Sequence, residues 1–178
     1  PVLVADFDAL PANDPLKATL AGQIAMLRSW DDRWGIASMP TSLAVFWGDT
    51  LWDAVSAAAK SSNTSVYDYM ADKAGSATRL HALVEASDRL QHDFGSWGVP
   101  WGEVNRFQRI SGAIVQPFDD SKPSIPVPFV SSRWVSLASF GAHRWPGTKR
   151  YYGTSGHSFV PVAEFGPRLL GRAPRAGG

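Results

Sequence analysis

Cysteine is absent from the 178 residues, so disulfides and thiolate metal sites are excluded. No apolar run approaches the roughly 18 residues needed to span a bilayer. The opening Pro1-Val2-Leu3-Val4-Ala5-Asp6-Phe7 lacks the positive leader of a signal peptide. Paired metal-binding histidines are missing too: His81, His92, His143 and His157 each stand alone, with no helical pair among them. Ser131, Ser132 and Ser155 have no G-x-S-x-G elbow around them. Gly153-Thr154-Ser155-Gly156 is too short for a phosphate loop and lacks its lysine.

What is present argues for a folded chain. Hydrophobic residues make up 44% of it and eight are tryptophan, too apolar for disorder. The length suits one domain with a sizeable core. Formal net charge is only +1, yet the halves differ. Residues 1–95 carry seven Lys or Arg against twelve Asp or Glu, and residues 96–178 carry ten against four. The basic residues are scattered rather than clustered, which fits docking of the halves on each other, or on an acidic partner, better than a nucleic-acid footprint.

Helical spacing dominates the first half. Residues 1–13 read as a loop or short extended lead-in. Asp14-Pro15 is a cap followed by proline at the first helical position. Leu16, Leu20, Ile24 and Leu27 then predict a helix to about Trp30, with Gly35 as the stop. Asp31 and Asp32 are adjacent and do not face one another on a helix, so a solvated turn partnered by Arg33 is expected there. Ser38-Met39-Pro40 starts a second helix with Leu43, Phe46, Trp47, Leu51 and Val55 on one face. A short helix capped by Thr64 or Ser65 carries Val66, Tyr67, Tyr69 and Met70. Gly75-Ser76 opens a last one with Leu80, Leu83, Val84, Ser87 and Leu90, and Gly95 closes it.

Beyond Trp97 the helical period vanishes and nine of the thirteen prolines follow. Residues 106–110 and 113–115 read as short strands joined by a Ser111-Gly112 turn. Residues 117–130, with four prolines, read as a long surface loop or arm of the kind that is usually functional or partner-bound. Pro146-Gly147 marks a turn. Tyr151-Tyr152 and Ser158–Phe165 are the clearest strands, with Pro161 pointing to an edge or bulge.

Between the halves lies Trp97-Gly98-Val99-Pro100-Trp101-Gly102-Glu103-Val104-Asn105-Arg106. Pro100 fixes a stiff, non-helical presentation of two indoles, and Glu103–Arg106 reads as a strand start or a single helical turn. Both indoles are expected to be largely buried where the helical and strand regions meet. Pro100-Trp101-Gly102-Glu103-Val104-Asn105-Arg106, with Gly156-His157-Ser158-Phe159-Val160-Pro161-Val162-Ala163-Glu164-Phe165-Gly166, resembles the penicillin-acylase-type amidases. These include the acyl-homoserine-lactone acylases and are N-terminal-nucleophile hydrolases. Leu27-Arg28-Ser29-Trp30-Asp31 and Ser42-Leu43-Ala44-Val45-Phe46-Trp47 also resemble the β-chain of that family, so the likeness runs over nearly the whole chain.

The resemblance implies an α+β fold, a helical N-terminal half followed by loop-rich antiparallel strands, as part of an N-terminal-nucleophile αββα hydrolase. It implies that residues 1–178 are a fragment of one acylase β-chain domain, with 1–95 the helical region and 96–178 the strand and loop region. The family reaction needs a Ser, Thr or Cys as first residue, whose α-amino group takes the side-chain proton. Pro1 offers neither, so the nucleophile, its histidine and the oxyanion-hole asparagine are expected upstream, with no catalytic residue here. Glu164 is the one candidate supporting residue. It shares a strand face with Val160 and Val162, and in some family members a β-chain glutamate orients the catalytic histidine. A plain ion pair with a local arginine is the alternative for it. The expected substrate is a small N-acyl compound of penicillin, cephalosporin or acyl-homoserine-lactone type. Expected partners are the rest of the β-chain and the α-chain of the same precursor, with no nucleic acid and no membrane span. No cofactor is expected in this fragment. A structural calcium is compatible with the family, but its ligands are not identifiable here. A periplasmic or secreted bacterial location is implied by the resemblance alone. The competing expectation is a non-catalytic, aromatic-rich module that holds a sugar or peptide on a row of exposed indoles.

Overall fold

The computed structural model of the chain describes residues 2–113, 115–136 and 138–156, together with the backbone of Val162–Glu164 and Leu170–Arg172. The described residues form a mixed α/β protein, with helices in the first half and strands in the second. Two compact units divide it. One comprises Pro1–Arg33 and Ser38–Pro100, and the other comprises Trp34–Ala37 and Trp101–Gly178. The segment Trp34–Ala37 therefore leaves the helical run that surrounds it in sequence.

In the helical unit, local chemistry sets most boundaries. Helix α2 (Pro15–Arg28) begins where the Asp14 carboxylate accepts from the Leu16 amide at 2.9 Å. It ends at Ser29, one residue before the predicted Trp30. The Trp30–Gly35 stretch is a turn in which Asp31 accepts from the Arg33 amide at 3.1 Å and Asp32 takes a positive φ. The Asp31–Arg33 pair is solvated, as expected. Helix α3 (Met39–Ser61) starts on Ser38, whose hydroxyl accepts from Thr41 N, and has Pro40 in its first turn. Helix α4 (Val66–Asp68) is capped by Ser65 and continues as a π-helical turn over Tyr69–Lys73. Helix α5 (Ser76–Phe94) closes on Gly95 at φ 77°, a left-handed conformation that suits glycine. Helices α3 and α5 bury the predicted stripes against each other, with Leu43, Phe46, Leu51, Leu80, Leu83 and Leu90 at the core.

The expectation of an extended lead-in is corrected: Val2–Asp8 is a helix, α1. Its β-branched, uncapped sequence is a weak helix former, and tertiary anchoring decides instead. Leu3 is buried, and both carboxylate oxygens of Asp6 receive the Arg79 guanidinium, at 2.5 and 3.1 Å. Arg79 Nη1 points at the carbonyls of Met70, Ala71 and Ala74, where the π-helical turn unwinds. One buried cation thus fastens α1, the π-helical turn and α5 together. Trp47 Nε1 donates to the Arg79 carbonyl at 3.0 Å. Trp97 belongs to this unit, half-buried rather than largely buried, with its ring against Gly22 of α2.

The sheet unit opens with a correction of its own. Trp101 does not sit on a non-helical turn: it begins the one-turn helix α6 (Trp101–Val104), which runs directly into β1 (Asn105–Phe107). Trp101 is buried, its ring set edge-on to Tyr151. The remaining strands are β2 (Ile125–Pro126), β3 (Phe140–Arg144) and β4 (Tyr151–Gly156), in sheet order β2-β1-β4-β3. The sheet is mixed, not antiparallel as expected, because β1 and β4 run parallel, with Asn105 opposite Tyr151. The predicted 106–110/113–115 hairpin does not form among the described residues. The buried Gln116 side chain occupies that turn instead, its Oε1 accepting from the Ile110 and Ser111 amides at 3.0 Å each. The Pro146-Gly147 turn is present, with Gly147 at φ 81°, and joins β3 to β4. Backbone strands β5 (Val162–Glu164) and β6 (Leu170–Arg172) pair antiparallel. The rest of the predicted Ser158–Phe165 strand, Pro161 included, lies outside the described residues.

Side chains from β1 and the residue beyond it hold the proline-rich segment. Asn105 Nδ2 donates to the Val127 and Phe129 carbonyls, both at 2.8 Å. Arg106 reaches Ser124 Oγ and the Ser124 carbonyl at 3.0 and 2.7 Å. Gln108 Nε2 donates to the Asp119 carbonyl at 2.8 Å and its Oε1 accepts from the Asp119 amide at 2.9 Å. Trp101 Nε1 and Asn105 Oδ1 are buried with no hydrogen-bond partner among the described residues.

Two glycines give a paired prediction. The Gly102 amide donates to the Ile36 carbonyl at 2.8 Å, which ties Trp34–Ala37 into this unit. A Cβ on Gly102 would lie 2.9 Å from Ile36 Cβ and 3.0 Å from both the Ile36 carbonyl and Pro126 Cβ. Gly102→Ala should therefore cost about 1–3 kcal/mol, the usual range for overpacking, whereas Gly35→Ala, with nothing within 4 Å, should stay within about 0.5 kcal/mol. Arg79→Ala should cost more, about 3–5 kcal/mol, because it strands a buried carboxylate. Urea titration of the three variants measures all of this, and equal midpoints for the two glycine variants would refute the close approach at Gly102.

Candidate functional site

The parallel pairing of β1 with β4 creates a crevice. β1 stops at Phe107, whereas β4 continues to Gly156. Arg106 lies opposite Tyr152, so Thr154–Gly156 run beyond the end of β1. On its other side β4 stays paired with β3, Phe140 opposite Gly156 and Gly141 opposite Ser155. A neighbour that leaves at the carboxyl end of a parallel pair opens space there, which is why α/β sheets bind ligands at such positions. The cavity at this point has a volume of about 320 Å³, at the lower end of the roughly 300–1,000 Å³ typical of small-molecule sites.

Its walls are built from the sheet and from the turn that follows β1. Phe107, Phe118 and Phe140 supply the apolar surface. The ring of Phe140 occupies the place where a Cβ on Gly153 would be, so a larger residue there would have to displace it. Phe118 is stacked on Tyr152, centroids 5.0 Å apart and planes 5° from parallel. The amides of Gln108 and Gln116 also line the space, but both are engaged in holding backbone. Arg109 has only one long contact, from Nη2 to the Gly112 carbonyl at 3.5 Å. The hydroxyls of Thr154 and Ser155 have no hydrogen-bond partner among the described residues. The polar groups free to meet a ligand are therefore one cation and two hydroxyls.

Behind the Phe118 stack the chemistry is structural. Tyr152 is buried, and its hydroxyl donates to Asp120 Oδ1 at 2.9 Å. Asp120 Oδ2 accepts from the Lys149 amide at 2.7 Å, and Arg150 Nη1 donates to the Asp120 carbonyl at 2.8 Å. Burial, helped by the Asp120 carboxylate, pushes the Tyr152 phenol up to about 12. A phenol held neutral in this way is a hydrogen-bond donor, and not a base at ordinary pH. Nearby, the hydroxyl and amide of Ser121 hold the Asp119 carboxyl below its usual value.

The residues singled out from sequence do not converge here. Glu164 has its backbone in β5, opposite Leu170, and its side chain lies outside the described residues. Ser131 precedes the 3-10 turn Ser132–Trp134, which contains Ser132. No hydrogen bond among the described residues joins Ser131, Ser132 or Ser155 to a histidine. His81 and His143 are exposed, and His143 lies against the Trp145 ring with centroids 4.4 Å apart. His92 is exposed and contacts Asp93 at 3.0 Å. His157 lies outside the described residues. Among the described residues there is no group of three or more His, Asp or Glu that could hold a metal ion. Arg109 and the three phenylalanines went unmarked in the sequence because only long-range pairing brings them to Gly153–Gly156.

Followed by phenolate absorbance against pH, Tyr152 should ionise well above the ordinary tyrosine range. An unfolded tyrosine ionises near pH 10, and the folded Tyr152 at about 12. Its contribution to stability is therefore complete below about pH 10 and is lost as pH rises towards 12. Tyr152→Phe should flatten that alkaline loss, as read from urea midpoints across the range, and an unchanged slope would contradict the burial argument. No protein-family model matches this chain, and no curated protein matches it.

Proposed function

We propose that this chain is scaffold from the β-chain of an N-terminal-nucleophile amide hydrolase that cleaves small N-acyl compounds. On this reading it contributes frame and partner surface, and sequence upstream of it supplies the nucleophile. The observation that carries the reading is the distribution of exposed apolar side chains. Of the eleven large hydrophobic residues exposed among the described residues, eight belong to the sheet unit, including Phe107, Ile110, Val115, Ile125, Phe129 and Val135. Exposed apolar side chains concentrated in one unit in this way are what a face covered by other protein would present. Further β-chain and the α-chain of one precursor are the partners that the motif resemblance implies.

The motif residues support the same reading through the work they do. Trp101 is buried, Gly102 permits a close backbone approach, and Asn105 and Arg106 hold the proline-rich segment. Each side chain of Pro100–Arg106 that is costly in composition is thus spent on structure. In the proposed reaction the upstream hydroxyl attacks the acyl carbon while the terminal amine takes its proton. Preorganised donors stabilise the tetrahedral oxyanion, the amine product leaves, and water then hydrolyses the acyl-enzyme. Glu164 is the positioning residue assigned here, orienting the imidazole of the missing portion. A periplasmic or secreted location belongs to this proposal. No helix among the described residues is long and apolar enough to cross a membrane. The competing sugar- or peptide-binding module draws little support: only Trp34, at 39%, is exposed among the eight tryptophans, and Trp145 is tied to the Tyr152 carbonyl at 3.0 Å.

The purified 178-residue chain should hydrolyse a chromogenic N-acyl amide no faster than buffer does. Turnover by this chain that Ser131→Ala, Ser132→Ala or Ser155→Ala abolishes would overturn the assignment. In the protein expressed from the complete open reading frame, acyl hydrolysis should appear, and Glu164→Gln should lower kcat while leaving the urea midpoint unchanged. A lowered midpoint with unchanged kcat would make Glu164 an ion-pair partner only. Absence of amidase activity in that longer protein would refute the hydrolase reading itself.

A further inference from the structure

We propose that the cavity between α1, the end of α2 and α3 is a binding site for a small quaternary ammonium ion, taken up free from solution. The inference does not rest on the hydrolase reading. The cavity lies within the helical unit and has a volume of about 200 Å³, below the roughly 300 Å³ at which drug-sized sites begin, so it suits a headgroup-sized ligand. Leu3 of α1, Leu27 of α2 and Ala44 of α3 supply apolar wall, and Trp30 and Trp47 supply two indoles. Both indole N–H groups are already spent on backbone. Trp30 Nε1 donates to the Arg33 carbonyl at 3.1 Å, and Trp47 Nε1 to the Arg79 carbonyl at 3.0 Å. What the rings can still offer a ligand is their π surface, which attracts cations. Asp32 is the one charged residue among the described residues of the lining, and the one that is exposed, so a negative charge stands at the rim.

Asp31 and Asp32 are neighbours in sequence with different work. Asp31 accepts from the Arg33 amide and faces its guanidinium at 3.8 Å. Asp32 has no hydrogen bond or ion pair among the described residues, and its φ is 59°. Asp and Asn are the non-glycine residues that accept this conformation most readily; of the two, only Asp brings a charge. The wider field agrees, since residues 1–95 carry seven Lys or Arg against twelve Asp or Glu, a balance that draws cations. The kind of cation follows from the scarcity of acceptors. A primary ammonium has three N–H donors, and the side chains of the lining offer one carboxylate, so burial would leave donors unpaired at a cost. A quaternary ammonium has no donor to satisfy, and its methyl groups pack on apolar wall and indole alike. A metal ion would find a single carboxylate there. An anion would meet Asp32 with no cation in the lining to offset it, and a neutral molecule would leave the carboxylate unanswered.

The test uses the 178-residue chain with choline as probe, its tert-butyl analogue dimethylbutanol as the uncharged isostere, and ethanolamine as the primary ammonium. Calorimetric titration should show saturable choline binding, with each of the other two weaker by about tenfold. The indole N–H signals of Trp30 and Trp47 should move in NMR spectra during the titration, while those of Trp101 and Trp145 stay in place. Asp32→Asn keeps a residue suited to positive φ and removes the charge. It should weaken choline by about three- to fivefold, the scale of an exposed ionic contact, and leave the urea midpoint unchanged. Trp30→Leu should weaken choline by about tenfold and Trp30→Phe by less, because a benzene ring keeps part of the π attraction. Should the Trp30 variants lose their fold, Asp32→Asn and the indole signals decide. Phosphatidylcholine vesicles should not sediment the chain, because the lipid phosphate beside the ammonium would be brought against Asp32. No saturable choline binding, equal affinity for the uncharged analogue, affinity indifferent to Asp32→Asn, indole shifts confined to other tryptophans, or sedimentation of the chain with the vesicles would each overturn the proposal.

Discussion

The sheet unit depends on one constraint: a segment rich in proline cannot satisfy its own backbone. Pro117, Pro123, Pro126 and Pro128 have no amide hydrogen, so residues 117–130 pair as a strand only over Ile125–Pro126. Their carbonyls still need donors. Asn105, Arg106 and Gln108 supply them from three of the four positions along and just beyond β1, reaching the Asp119, Ser124, Val127 and Phe129 carbonyls. The side chains of one strand thus stand in for the missing strand beside it. This explains why Asn105 and Gln108, both polar, are buried, Asn105 completely: each is a donor with a fixed address, and removal of one leaves a carbonyl unanswered.

The helical unit solves a related problem with charge. A π-helical turn leaves carbonyls that an α-helix would have paired, and the Arg79 guanidinium collects those of Met70, Ala71 and Ala74 while neutralising Asp6. The geometry suits arginine and not lysine, because the planar fork serves a carboxylate and a cluster of carbonyls at once. In both units, irregular backbone is tolerated where one long polar side chain is dedicated to it. The three side-chain amides and two guanidiniums used in this way account for most of the departures from regular secondary structure described above.

Which parts of this were legible beforehand follows from the range of the interactions. Helix boundaries are written within a few residues of themselves, and Asp14-Pro15, Ser38-Met39-Pro40, Ser65 and Gly95 all mark them. Helix α1 was not legible, because Arg79, far along the chain, holds it in place. The Ser111-Gly112 dipeptide has the chemistry of a hairpin turn, but Gln116 takes the hydrogen bonds that a hairpin partner would have made. The parallel pairing of β1 with β4 leaves no local trace. The cavity was hidden for the same reason, and Gly153-Thr154-Ser155-Gly156 reads in the sequence only as a stretch too short for a phosphate loop. Its glycine matters for another cause, the ring of Phe140 above it.

The parallel pairing also bears on how the chain reaches its folded state. A hairpin such as β3–β4 closes a short loop around Pro146-Gly147, and the helices of the first unit are local by nature. Asn105 and Tyr151 meet only after the whole intervening chain has been gathered in, and the entropy of closing so long a loop is spent before the contact returns anything. Until then β1 has neither its parallel neighbour nor a settled proline segment, and Phe107, Val115 and Ile125 are exposed beside it. The sheet unit is therefore the slow and adhesive half of the molecule during folding, and during synthesis it emerges after the helical unit.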